Sequence, residues 1–383
     1  MTPSSAHVVS AAVSGRWTPP FEGVVRAFEA NLRDHGDVGA AFSVILGGET
    51  VVDIWGGWRD GARTETWDRD TIVNVWSSTK GVNAACFAML VDRGLIAYSD
   101  PVARHWPEFA AEGKAEITIG MLLSHQAGLC GFTAPAVTED LYGGEVAAAR
   151  LAAQAPLWKP GTGSGYHAIS IGILSAALFR RIEGRSIKQF VADEIAGPFG
   201  LDISIGLPPS DIPRVAEMLA PPAMSTTSLG VDTPINFAAL GNPPLDPLLP
   251  NSSGWRAAEL PSANGFSNAR ALAGLYTRLL PNRPADERLI SPETLEKATA
   301  LQIEGTDLVL GIPARWGAGF SLNSMALYGP NARAFGHTGW GGSFGFADPD
   351  ADLAVSYTMN QMSDQLRDDP RALNLINAVY AAT

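Results

Sequence analysis

Cysteine is nearly absent from this chain: Cys86 and Cys130 are the two among 383 residues. Two cysteines cannot build a disulfide framework, and neither has the paired spacing of a zinc site. Cys86 sits in an apolar stretch and reads as a buried free thiol. Lysine is scarce as well, with five in the chain, no basic run and a net charge of −12. Phosphate binding needs clustered Lys and Arg, which argues against nucleic acid or an anionic membrane surface as a partner. No uncharged apolar run approaches the roughly 18 residues of a membrane span. Met1 to Trp17 has neither the basic start nor the apolar core, about 7–15 residues, of a secretory leader. The histidines His7, His35, His105, His125, His167 and His337 show no ligand spacing with each other or with the cysteines, so neither a metal nor another cofactor is implied. These absences point to a soluble cytoplasmic protein acting on a small molecule.

Hydrophobic residues make up 46% and charged residues 17%, enough for a sizeable interior, and the length favours two lobes. Phe21, Val24, Val25, Phe28 and Leu32 recur at helical spacing. Ala41–Leu46 and Val51–Trp55 are β-prone runs joined by Gly47-Gly48-Glu49-Thr50, a hairpin signal. Val82–Val91 is apolar on nearly all sides and stops at Gly94, as a buried helix would. The pattern stays mostly helical to about Leu201. Leu207–Ser262 is rich in Pro, Gly, Asn and Ser and reads as a long wrapping loop. A helix is expected over Ala269–Leu280, strands at Ala334–Phe335, Ser343–Ala347 and Leu353–Met359, and a closing helix over Arg371–Ala381. No internal repeat is present. The pattern is α+β: a discontinuous sheet domain from residues 1–76 and 285–383, carrying a mostly helical insert over 77–284.

Three segments carry chemistry. Ser77-Ser78-Thr79-Lys80 is the one S-x-x-K in the chain, opening the expected buried helix. Three residues make nearly one turn, so the hydroxyl and the amine share a face. Apolar surroundings lower a lysine pKa, letting the amine accept a proton near neutral pH, and the helix start aims N–H groups at developing negative charge. An ordinary surface helix start satisfies the same pattern. Gly165-Tyr166-His167-Ala168 follows a Pro-Gly turn, from which Tyr166 can swing toward Ser77, its phenol ionising more easily beside a lysine cation; a Tyr packed under the turn is the plainer alternative. His337-Thr338-Gly339-Trp340-Gly341-Gly342 has glycines that permit close backbone approach, and the Trp340 N–H is a candidate oxyanion donor beside that of Ser77. His337 equally suits a packed strand position. Gly341-Gly342-Ser343-Phe344-Gly345 matches the G-x-S-x-G elbow, but Ser343 is followed by strand-like sequence and no histidine follows it.

In this order and at these separations, the three elements resemble the class C β-lactamase and penicillin-binding group, and within it the family VIII carboxylesterases. Ile117–Leu129, containing Ser124-His125-Gln126-Ala127-Gly128, looks like that group's segment after the nucleophile helix, and Asn264–Arg270 like its later helix start. The likeness runs from about Val38 to Met359. It implies a β-lactamase-like fold, an antiparallel sheet flanked by terminal helices, with the active site between sheet and helical domains. It further implies that Ser77 is acylated, that Lys80 and Tyr166 share the acid–base work, and that the Ser77 and Trp340 amides hold the oxyanion. The order in which Lys80 and Tyr166 act stays open, and the pair can titrate as a unit.

Two departures bear on substrate. Ala168 stands where the antibiotic-hydrolysing members usually have Asn, and His337 where they usually have the Lys of Lys-Thr-Gly. Both weaken binding of an anionic β-lactam, whereas a neutral ester needs neither contact. Trp76 and Trp340 suggest an apolar acyl pocket, which His125, His337, Thr338 and Gly339 complete as substrate-binding candidates. The expectation is a carboxylesterase for small, short-acyl esters. Its rivals are a β-lactamase or D-alanyl peptidase, an amide hydrolase or acyltransferase, and a non-catalytic scaffold. Oligomeric state is not legible.

Overall fold

In the computed structural model, which describes residues 12–222, 232–365 and 368–383, edge strand β1 (Ser14–Trp17) leads into helix α1 (Glu22–Asp34) and then into the expected hairpin, whose turn is Gly47-Gly48 alone, with Glu49 and Thr50 already in the strand. The leader reading of Met1–Trp17 falls largely on residues 1–11, outside the described residues. Strands β2 (Gly39–Leu46) and β3 (Glu49–Gly57) pair from Leu46↔Glu49 outward. Gly47 and Gly48 both take positive φ, 59° and 87°, as a two-residue turn matched to strand twist requires.

The later strands are β4 (Val73–Asn74), β5 (Ile203–Ile205), β6 (Gly265–Ser267), β7 (Ile303–Thr306), β8 (Pro313–Trp316), β9 (Ser321–Leu322), β10 (Phe335–Thr338), β11 (Phe344–Asp348) and β12 (Leu353–Met359). Among the described residues they form an antiparallel nine-stranded sheet, order β1-β3-β2-β12-β11-β10-β9-β8-β7, and a small sheet, order β4-β6-β5. Chain ends meet at its centre, where β12 pairs with β2 from Leu353↔Leu46 to Met359↔Ala40.

The longer helices numbered here are α1, α2 (Thr79–Asp92), α3 (Glu145–Ala153), α4 (Ser170–Glu183), α5 (Ala269–Thr277), α6 (Pro292–Thr299) and α7 (Pro370–Tyr380). Terminal helices α1 and α7 pack together beside the sheet, and α5 packs on β2, β11 and β12. With helices against it, β12 is buried at every position, its two polar residues Ser356 and Thr358 included. Helix α2 is buried from Thr79 to Leu90 and packs against α4, α6 and β10. Each large apolar side chain it buries contributes roughly 1.5–3 kcal/mol.

Two expectations need correcting. Leu207–Ser262 is not a bare loop. It holds helices Pro234–Leu240 and Ser253–Ala257 and 3₁₀ turns Pro209–Arg214 and Leu249–Asn251, while residues 223–231 lie outside the described residues. These elements run one or two turns, too short for periodicity to register, and their ends rest on side chains: Thr233 and Ser252 cap the two helices. Asn242 Nδ2 donates to Phe132 O at 2.7 Å and Ala134 O at 2.9 Å. The second concerns α5, which the division at 284 grouped with the helical insert. It packs on the sheet because its apolar face, including Leu272 and Leu275, is buried there.

Candidate active site

The small sheet sets the start of α2. Val75 N donates to Gly265 O at 2.9 Å, and Thr79 Oγ1 accepts from Gly265 N at 2.9 Å while donating to Trp76 O. Trp76 is held at φ 45°, in the left-handed region, with its N–H on Asn74 Oδ1 at 3.2 Å. Such strain persists only where the surroundings over-determine it. Ser77 follows at the opening turn, partly exposed to the cleft.

Lys80 lies one turn on. Its Nζ donates to Ala168 O at 2.8 Å and Ser262 O at 2.9 Å and lies 3.0 Å from Ser77 Oγ, all three neutral oxygens. Burial without a carboxylate among these partners pushes the ammonium pKa well below the ordinary lysine value.

Tyr166 is set by a residue that sequence reasoning missed. Buried Asp307 accepts from Tyr166 N at 2.9 Å and Ser164 Oγ at 3.0 Å, and from Val309 N and Leu310 N, both at 3.0 Å. The Tyr166 ring lies parallel to Trp316, 17° between planes and 6.0 Å between centroids, with Lys80 Nζ 4.7 Å from its centroid. Burial raises the phenol pKa, against which its hydrogen bond with the Ser77 hydroxyl acts in opposition. The expected easier ionisation is therefore reversed, because burial of the phenol outweighs the hydrogen bond that opposes it.

The third element is the end of β10. His337 Nδ1 lies 2.8 Å from Thr338 O, so the proton sits on Nδ1 and Nε2 is the bare nitrogen. Burial pushes the imidazole pKa down to about 3, leaving the ring uncharged at neutral pH. Gly339 N donates to Ser343 O at 2.7 Å, and Gly339 approaches the α2 start so closely that a Cβ there would overlap Val75 O and Ser343 Oγ. Among the described residues, the Ser77 and Trp340 amides have no protein acceptor.

Ser77, Tyr166, His337, Thr338, Gly339 and Trp340 line one cleft together with Leu310, Ile312, Trp316, Met325, Leu327 and Ile376. Two candidates stand behind it. Trp76 is buried with its ring 5.0 Å from Trp255 and 4.9 Å from Trp340, so it backs Trp340. His125, also buried, accepts from His167 N on Nδ1 at 3.2 Å and meets the Tyr166 ring at 4.9 Å, a prop for the tyrosine. Ser343 is no elbow: β11 follows it directly, and its Oγ donates to Val75 O at 2.8 Å. Among the described residues no group of His, Cys, Asp or Glu side chains could hold a metal ion, and no helix is long and apolar enough to cross a membrane.

Residues 24–378 match the family described as Beta-lactamase. The chain belongs to that family. Among curated relatives, the esterase/beta-lactamase LipL of Mycobacterium tuberculosis (strain ATCC 25618 / H37Rv) is 34% identical over 366 residues, covering 92% of this chain and 84% of LipL. Among solved structures, a family VIII carboxylesterase is 43% identical with a TM-score of 0.91, over 97% of this chain and 100% of that one. A penicillin-binding protein homolog from Caulobacter crescentus is 41% identical with a TM-score of 0.92, over the same shares. This family member is thus a beta-lactamase-like hydrolase with carboxylesterase relatives.

Trp316 is the second residue missed in this beta-lactamase-family site. It lies on β8 and stacks on Tyr166 and on His337, 5.9 Å away. The signal for Asp307 was present as an acidic residue ahead of Leu308-Val309-Leu310-Gly311, a turn former that caps its own backbone. Nothing local said that the same carboxylate clasps Tyr166.

Proposed function

We propose that this chain hydrolyses small, short-acyl carboxylic esters through an acyl-enzyme on Ser77. The observation that carries the reading is the Lys80 amine 3.0 Å from Ser77 Oγ, with burial driving it toward the neutral form. A neutral amine at hydrogen-bond distance is a general base. The opposite pKa directions of Lys80 and Tyr166 support the amine as first base and the phenol as a proton carrier.

Lys80 takes the Ser77 proton as Oγ attacks the ester carbonyl. The developing oxyanion sits against the Ser77 and Trp340 amides, donors without a competing protein acceptor. The proton passes by way of Lys80 and Tyr166 to the departing alkoxide, leaving alcohol and acyl-serine. Water then attacks the acyl carbon by the same route in reverse, releasing the acid and restoring Ser77.

The cleft supports neutral, apolar substrates. Its wall carries Leu310, Ile312, Met325, Leu327 and Ile376, and His337 is uncharged. The lining cation Arg315 is engaged by Glu304 at 3.2 Å and Asn323 O at 3.0 Å. A β-lactam carboxylate therefore meets no free cation among the described lining residues, and Ala168 gives an acylamide no side-chain partner.

Nitrophenyl esters of rising acyl length, run beside nitrocefin, test the substrate reading. Short esters turn over fastest, and comparable nitrocefin turnover defeats it in favour of a β-lactamase. Fluorophosphonate labelling disappears in Ser77→Ala and persists in Ser343→Ala; the reverse pattern moves the nucleophile.

A further inference from the structure

Arg371 sits in the first turn of α7, 3% exposed, and no step above uses it. Its guanidinium meets Asp37 Oδ1 at 2.7 Å and Asp369 Oδ2 at 2.8 Å, and Asp37 also accepts from the Tyr357 hydroxyl. Two further bonds leave this charge cluster. Nη1 donates to Gln361 O at 2.8 Å, and Nη2 donates to Gly341 O at 2.8 Å. Gly341 O also accepts from Ser363 N at 2.9 Å.

Gly341 belongs to the turn that presents the Trp340 amide. Gly342 N donates to Gly339 O at 3.1 Å, and Gly339 N donates to Ser343 O, so the turn is closed from inside. From outside its one clamp from a charged side chain, among the described residues, is Arg371. Contact there is tight: a Cβ at Gly342 would stand 2.8 Å from Arg371 Nη2 and 2.9 Å from Asp369 Oδ2. A buried charge is costly to keep, and its attested use is to specify one geometry. A planar fork satisfied by two carboxylates and two carbonyls fixes direction in a way a point charge cannot.

We propose that Arg371 is a positioning residue for the reaction, holding the Gly339–Gly342 turn so that the Trp340 amide faces the oxyanion. This rests on the oxyanion reading of Trp340 given above. Loosening one preorganised donor raises the barrier without changing ground-state binding, so the effect falls on kcat.

The test uses the full chain with nitrophenyl butyrate. Arg371→Lys lowers kcat per folded molecule roughly tenfold to a hundredfold with KM within about twofold. Millimolar guanidinium restores part of the kcat of Arg371→Ala. Asp37→Asn, which loosens the seat of the guanidinium and leaves the Gly339–Gly342 turn unaltered, shifts kcat in the same direction and serves if the Arg371 variants do not fold. Lower thermal stability with unchanged kcat in the folded fraction, or equal kcat in Asp37→Asn, overturns the proposal. If Ser77→Ala keeps its turnover, the acyl-serine reading itself has failed; if Ser77→Ala is dead while Arg371→Lys keeps its kcat, only the inference about Arg371 falls.

Discussion

The helical wall and the sheet wall of the cleft are assembled over very different distances along the chain. On the helical wall, Ser77 and Lys80 are three residues apart and one turn of α2 brings Oγ and Nζ to 3.0 Å. On the sheet wall, the turn at Trp340 is held by Arg371 across 30 residues of sequence, and Arg371 is held in turn by Asp37 across 334. Tyr166 belongs with the second kind, since its backbone hangs on Asp307 across 141 residues. Chemistry written into one helical turn survives as long as that helix folds. Positioning spread over remote segments depends on the whole sheet closing correctly.

Variants on the two walls should therefore separate. The largest effect is expected for Lys80→Ala, with kcat/KM for nitrophenyl butyrate falling roughly a thousandfold or more and the fold intact by circular dichroism. Retained activity would remove the helical wall from the chemistry. Tyr166→Phe comes next, with a loss of roughly a hundredfold or more, typical of a lost proton carrier. A loss in KM alone would make Tyr166 a binding residue.

On the sheet side, Asp307→Ala leaves buried amides unpaired. It should cost about 1–3 kcal/mol in urea unfolding and lower kcat less than Tyr166→Phe does. An unchanged kcat would show that the Tyr166 loop holds its place unaided. The smallest effect concerns pH. Activity requires the neutral amine, so kcat/KM should fall as pH drops through the Lys80 pKa, which burial places well below 10.5. His337, with its pKa near 3, adds no inflection between about pH 5 and 9. An inflection lost in His337→Asn would contradict that.

The same contrast governed what could be read in advance. The S-x-x-K spacing, the apolar run to Gly94 and the hairpin are local: the helix formed as expected, Oγ and Nζ share one face of it, and the hairpin formed with Glu49 and Thr50 drawn from the turn into the strand. Strands β7, β8 and β9 were not anticipated. They are 4, 4 and 2 residues long, β7 carries Glu304 and Gly305, and β8 begins with a proline. Trp76 was placed at the cleft because it precedes Ser77 in sequence, and His125 because it lies in the family-like segment Ile117–Leu129. Residue 76 turns its ring inward at positive φ, and His125, at φ 65°, is committed to the His167 backbone. The links from Asp307 to Tyr166 and from Arg371 to Gly341 were invisible because a carboxylate or guanidinium in sequence carries no sign of its distant partner.

The contact at Gly339 has a consequence for changing this enzyme's diet. Because β10 and the α2 start share space there with no room for one carbon, a library that randomises the cleft evenly would spend that position on chains pried apart at the seam. Met325, 73% exposed, lines the cleft on its far lip, away from that seam. The mouth has room for other side chains, and the seam between the two walls has none.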